Sequence, residues 1–249
     1  MIAILSPAKT LDYDSALPAL SASAPRFGEQ TGQIARAAAR LGAPKLASLM
    51  RISPRLAQLN AQRYRDFADA PERPALWAFA GDVYAGFEVK SLQAPAFDFA
   101  QAHVRILSGL YGLLRPLDAI RPYRLEMGTR WAPGRAKDLY AFWEDRIAAL
   151  LAQDVADSGS AVVLNLASQE YWQAVAGKLP DGIRVIEVDF REDGPDGPRF
   201  VSFHAKRARG MMARWMCEHR VTGVEAMQGF DSDGYRFVGA EEDRWTFVR

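Results

Sequence analysis

The chain holds a single cysteine, three histidines, almost no net charge and no long hydrophobic run. Cys217 alone forms neither an intramolecular disulfide nor a zinc site built on paired cysteines, which points to a reducing compartment. Its surroundings, MMARWMC, read as an apolar helical stretch, where a thiol is a small buried hydrophobe rather than a peroxide-sensing thiolate. His103, His204 and His219 stand in no H-x-x-x-H or H-x-H relation to one another or to Cys217, so spacing supports no metal site. No stretch approaches the ~18 apolar residues of a membrane helix, and MIAILSPAKT has no basic region ahead of its short apolar run. The expectation is a cytoplasmic chain with no membrane attachment, no resident metal and no cofactor.

What is present is the composition of an ordinary globular protein, 249 residues of which 49% are hydrophobic and 24% charged. That length fits one core, since single cores reach about 250 residues before chains split. Strand and helix signals alternate without a low-complexity linker or an internal repeat. One mixed α/β (α+β) domain over residues 1–249 is therefore expected.

The net charge of +1 hides segregation. From Arg36 to Arg65 there are seven cations and no acid: Arg36, Arg40, Lys45, Arg51, Arg55, Arg63 and Arg65. Lys206, Arg207, Arg209, Arg214 and Arg220 form a second basic run, while acids gather at Glu187–Asp196 and Asp231–Asp243. Such a distribution makes either a bipolar surface with one phosphate-binding face or a set of solvated helix faces.

IAILS reads as a buried opening strand ended by Ser6-Pro7. Phe27 to Leu41 repeats small and apolar residues at helical spacing, and two short helices follow over Pro44–Met50 and Pro54–Phe67, with Ser53 as a cap. LWAFAG reads as a strand and GDVYAGF as a turn. A helix from Phe97, a strand at VRILSG and an ordered Gly/Pro-rich segment from Leu107 to Gly128 come next. Lys137 to Val155 is the clearest amphipathic helix, AVVLNLA a buried strand and Ser168–Ala176 a short helix. IRVIEVDF and RFVSFHA have the spacing of a hairpin, Lys206–Arg220 that of a helix, and YRFVGAEEDRWTFVR that of a closing hairpin.

The most specific local pattern spans Leu46 to Arg63. Apolar Leu46, Leu49, Ile52, Leu56 and Leu59 would pack two short helices around a turn at Arg51–Ser53. The segment, at about 44–67, resembles a helix-hairpin-helix element, whose hairpin and second-helix N-terminus offer backbone N–H groups to a phosphate. Arg51 and Ser53 stand where that motif usually has glycine, and an ordinary helical packing unit is the competing reading. SPAKTLD places Lys9 and Thr10 after a strand but lacks the Gly cradle of a nucleotide-binding P-loop. Lys9 either meets a phosphate or carboxylate ligand in a cleft, or pairs with Asp12 or another loop carboxylate. Asp82, Tyr84, Tyr111, Arg115, Asp118, Tyr123, Arg124 and Glu126 lie on Gly/Pro turns, and Asn165, Ser168, Glu170, Tyr171, Lys206 and Arg209 at element ends. Those groups make a preorganised polar cleft or satisfy the turns themselves.

Taken together, SPAKTLDY, LMRIS, GDVY, LSGLYGLLRPLDAIRPYRLEMG, KDLY, NLAS and KRARG resemble the YaaA family of bacterial peroxide-stress proteins, in order from residue 1 to about Tyr235. The resemblance implies a single mixed α/β domain with a helix-hairpin-helix element beside a positively charged cleft. It further implies binding of duplex DNA and limitation of peroxide damage, in part through intracellular iron. No settled reaction comes with it. Combined with the chemistry of the positions, it assigns Lys9, Lys45, Arg51, Ser53, Arg55, Arg115, Arg124, Lys206 and Arg209 to DNA or phosphate. Glu126, Glu170, Lys9 and Tyr84 are the catalytic candidates if the cleft instead acts on a nucleotide, a nucleic-acid end or another small phosphorylated ligand.

Overall fold

Ile2–Leu5 (β1) is apolar at four successive positions, and all four residues are fully buried. A strand with no polar face needs both faces of its sheet covered. The computed structural model describes residues 1–249 and supplies that environment. After β1 come β2 (Thr10–Leu11), α1 (Gly28–Ala39), α2 (Gly42–Met50), α3 (Pro54–Arg65), β3 (Arg73–Pro74), α4 (Ala75–Ala78), β4 (Phe79–Ala80), α5 (Asp82–Phe87) and α6 (Ala94–His103). The chain continues through β5 (Val104–Ser108), β6 (Gly112–Leu114), β7 (Ala119–Ile120), α7 (Leu139–Trp143), α8 (Arg146–Asp157), β8 (Val162–Leu166) and α9 (Gln169–Trp172). It ends with β9 (Arg184–Arg191), α10 (Ser202–Glu218), β10 (Arg236–Glu241) and β11 (Arg244–Val248).

Seven strands form one sheet in the order β10-β11-β9-β8-β1-β5-β6. The five inner strands are parallel, and β10 and β6 run antiparallel at the edges. Ala3 lies opposite Val104 on one side and Leu164 on the other. One hydrophobic core runs through the whole chain, making a single mixed α/β domain. No helix is long and apolar enough to cross a membrane.

Several local expectations are corrected. LWAFAG is a helical turn, α4, before the two-residue β4, and GDVYAGF is helix α5. The glycine that suggested a turn in GDVYAGF serves helix packing instead. A Cβ on Gly86 would stand 2.1 Å from the Arg207 carbonyl oxygen, and one on Gly210 would stand 1.7 Å from that of Val83. The helix expected over Lys137–Val155 breaks into α7 and α8 at Glu144, whose φ is 49°. RFVSFHA is not a strand: Arg199 bridges back to Glu192, and α10 starts at Ser202. In α3 the buried face is Ala57, Asn60, Ala61 and Tyr64, whereas Leu56 and Leu59 are exposed. Tertiary contact chose the small residues, because they let α3 approach its neighbours closely. Cys217 is buried, and burial pushes its thiol pKa up.

One charge cluster is locked inside. Asp154 of α8 accepts two hydrogen bonds from Arg26, at 2.6 and 2.9 Å, and one from Arg105 Nε in β5. Burial pushes the Asp154 pKa up, but the bonds and charges of the two guanidinium groups together outweigh it, and the net shift is downward. A depressed folded pKa gives stability that is present above the usual Asp value of about 3.9 and is lost as pH falls through the folded value. Asp154→Asn should therefore cost about 3 kcal/mol at pH 7, since it leaves two cations without a counter-charge. It should also flatten the loss of stability below about pH 4, as read from urea unfolding across pH. Gly210→Ala should cost about 3 kcal/mol through overpacking, seen as a lowered melting temperature; an unchanged melt would mean that α5 and α10 can separate freely.

Candidate functional site

The strand order decides where a ligand can enter. From β1 the chain goes on to β5, but from β8 it goes on to β9, on the opposite side. Connections leaving two adjacent parallel strands in opposite directions open a crevice at the strands' carboxyl ends. Here those ends are tied together: the Ser168 N–H donates to Ser6 Oγ at 2.9 Å, and the two hydroxyls are 3.2 Å apart. Tyr84 donates its hydroxyl to the Ser6 carbonyl at 3.0 Å. Burial pushes the Tyr84 pKa well above the usual phenol value, so this side chain braces the end of β1 as a neutral donor.

Above these ends lies a depression of about 490 Å³ whose lining includes Lys9, Arg51, Glu126, Thr129, Arg130 and Glu170. They come from the loop after β1, the α2–α3 corner, the segment after β7 and the start of α9. Glu126 Oε1 accepts from Arg124 Nε at 3.1 Å and from its terminal nitrogen at 2.9 Å, and lies 3.5 Å from Lys9 Nζ. Glu126 Oε2 is buried and has no hydrogen-bond partner in the protein. Glu170 accepts the Gly128 N–H at 2.9 Å, which ties α9 to the same segment. Lys9 thus pairs with Glu126 and not with Asp12, whose ion partner is Lys90 at 3.5 Å.

The α2–α3 corner is held against this crevice by Tyr64, buried in α3, whose hydroxyl donates to the Arg124 carbonyl at 2.9 Å. At the corner, Arg51 adopts the left-handed conformation with φ 51° and ψ 51°, a geometry that costs a side-chain-bearing residue about 1 kcal/mol or more. Ser53 Oγ caps α3 by accepting from Leu56 N–H at 3.4 Å. Pro54 has no N–H and Ala57 N–H is bonded to the Ser53 carbonyl, which leaves only Arg55 N–H free in the first turn. Side-chain cations, more than backbone donors, are what this corner presents to an anion.

The other expected positions divide into three groups. Lys45 and Arg55 are exposed on the same helical corner as Arg51. Lys206, on α10, lies 3.9 Å from Asp82, next to Gly81, which packs against Ala8 beside Lys9. Arg115 is committed elsewhere, binding fully buried Asp118 at 2.9 Å, and Arg209 is half-buried, in no ion pair and with its buried Nε unpartnered. Burial pulls the Arg209 pKa down against the opposing pull of Asp189. Arg130 and Thr129 carried no signal in the sequence, because only the fold brings TRW beside Lys9. No three His, Cys, Asp or Glu side chains gather closely enough to hold a metal ion. A larger depression, about 570 Å³, lies at the opposite edge of the sheet and is acidic, lined by Glu187, Glu241, Glu242 and Asp243. It lacks the convergence of cations that marks the crevice.

Comparison with known proteins matches the model of the "Peroxide stress protein YaaA" family over residues 1–241. A UPF0246 protein of Rhizorhabdus wittichii is 62% identical, covering 100% of this chain and 99% of its own. UPF0246 proteins of Burkholderia cenocepacia and Ralstonia pickettii are 47% and 46% identical, covering 100% of this chain and 97% and 99% of theirs. The same blocks that surround the crevice, from SPAKTLDY to NLAS, thus fall inside a full-length match, and the chain belongs to the YaaA (UPF0246) family of peroxide stress proteins.

Proposed function

We propose that this chain serves peroxide-stress protection by binding duplex DNA, largely through phosphate contacts, and so limits iron- and peroxide-driven damage. One observation carries the reading: none of the seven cations from Arg36 to Arg65 forms an ion pair, although the chain is nearly neutral. Arg63 is half-buried and donates to Asn60, but the other six are exposed on α1–α3 and their flanks, where they are available to release counterions from a polyanion. The acid-rich stretches Glu187–Asp196 and Asp231–Asp243 lie on and around β9, β10 and β11, at one side of the sheet, so the charge asymmetry orients the approach. A duplex is too wide to enter a depression of about 490 Å³; its backbone would lie across the α2–α3 corner. Contacts of this kind fix position without reading bases.

A second reading, an enzyme acting on a nucleotide, a nucleic-acid end or another small phosphorylated ligand, is favoured by Glu126. A carboxylate with one buried oxygen lacking a partner, 3.5 Å from Lys9, gains nothing from a phosphate backbone alone. It suits a proton donor or acceptor inside the crevice.

Anisotropy titrations of unrelated duplexes over a range of salt should give affinities alike within a few-fold and a steep salt slope. Arg51→Gly should lower that slope by about one unit. The same change should keep or raise stability, because glycine relieves the left-handed strain at this corner by up to about 1 kcal/mol. Glu126→Gln should leave duplex affinity equal or higher. Salt-independent binding would overturn the reading, and loss of peroxide survival in a folded Glu126→Gln protein with intact duplex binding would move the function to the second one.

A further inference from the structure

We propose that the entry to α10 is a second nucleic-acid contact, a stacking platform for unpaired bases made by Phe200 and Phe203 with Arg199, Lys206 and Arg207. Phe200 and Phe203 are 57% and 55% exposed, more than any other large hydrophobic residue of the chain. Two exposed aromatic side chains three residues apart on an otherwise well-buried fold mark an interaction surface. Phe203, Lys206 and Arg207 are three and four residues apart on one helix and share a face. Arg199 and Arg207 form no ion pair, the sequence carries no acid from Gly197 to Cys217, and of the acids just ahead of it Glu192 and Asp193 are bound by Arg249 and Arg236, leaving Asp196 unpaired.

Both sides of the platform are anchored. Arg199 and Glu192 exchange two backbone hydrogen bonds of 2.9 Å, which closes the loop ahead of Phe200. Gly86 and Gly210 seat α10 directly on α5, and its inward positions are filled by Ala205, Ala208 and Met212, so neither ring has a place in the core. The position is also contiguous with the crevice. Lys206 reaches Asp82 at 3.9 Å, and Gly81 packs against Ala8, the neighbour of Lys9.

Cations interleaved with exposed aromatic rings complement a polyanion that has π faces, which is single-stranded nucleic acid. An acidic peptide would use the cations and leave the rings idle. Every base has a stacking face, so the platform tolerates any sequence and acts where a duplex is locally opened. The ligand class rests on the nucleic-acid reading above, but the residues are separate from the α2–α3 corner.

The test uses the full chain with three labelled probes: a dT oligonucleotide, a fully paired duplex and a duplex with an internal unpaired loop. The double variant Phe200→Leu/Phe203→Leu keeps apolar bulk and removes the π faces. It should weaken dT and looped-duplex binding by roughly ten- to a hundredfold and leave the paired duplex within about twofold, while Phe203→Tyr alone stays close to the unmodified protein. Unchanged dT affinity in the folded double variant overturns the platform. So does a wild-type dimer in sedimentation that the double variant abolishes, which would assign the rings to a second copy. Wild-type binding of dT without binding of paired duplex upholds the platform and removes the duplex reading; the converse removes the platform alone.

Discussion

Parallel pairing of β1 with both β5 and β8 is the constraint on which the rest of the molecule depends. It buries Ile2–Leu5 completely, and it sends the two neighbouring connections to opposite sides. The backbone cannot fill the gap that this leaves at the carboxyl ends, so side chains from four distant segments converge there. The hydrogen bonds between Ser6 and Ser168 fix the separation of the strand ends. Everything above them, from Lys9 to Glu170, inherits its placement from that tie.

Charges in this protein are handled in two contrasting ways. Where a cation is needed for the fold, it is matched: Arg26 and Arg105 share Asp154, and Arg115 holds Asp118. Around α1, α2 and α3 cations are left unmatched, and the acids that balance them in the total lie elsewhere in the chain, gathered at Glu187–Asp196 and Asp231–Asp243. A small net charge therefore coexists with a strong dipolar arrangement, and the sum says little about what the surface attracts. Inside the crevice the two regimes meet. Glu126 is partly neutralised by Arg124 and Lys9, while Arg51 and Arg130, in no ion pair, complete the rim.

Close backbone approach links this site to the surface beyond it. Gly86 and Gly210 let α10 sit on α5 with no intervening side chain. That contact carries Lys206 next to Asp82, beside Gly81, which packs against the neighbour of Lys9. Tyr64 performs the equivalent service for α3 through the Arg124 carbonyl. The α2–α3 unit thus borders the crevice directly, and α10 lies beside it through Asp82 and Gly81.

The sequence by itself determined much of the framework. An uninterrupted apolar run announced β1, and mostly apolar runs broken only by Arg105 and Asn165 announced β5 and β8, because a strand buried on both faces shows little alternation. Ser53-Pro54 announced the start of α3, since capping is written in adjacent residues. The segregation of charge was likewise legible, as was the family, through motifs that span the chain. Tertiary structure alone decided which face of α3 is buried, that GDVYAGF is a helix, and that RFVSFHA begins one. Those outcomes hang on tertiary contacts, Gly86 with Arg207 more than a hundred residues away for α5 and Tyr64 with Arg124 for α3, and local periodicity contains no information about them. The same holds for the site: Lys9, Arg51 and Glu170 were visible as chemistry, but their meeting, and the presence of Arg130 among them, follows from a strand order that no single stretch of sequence encodes.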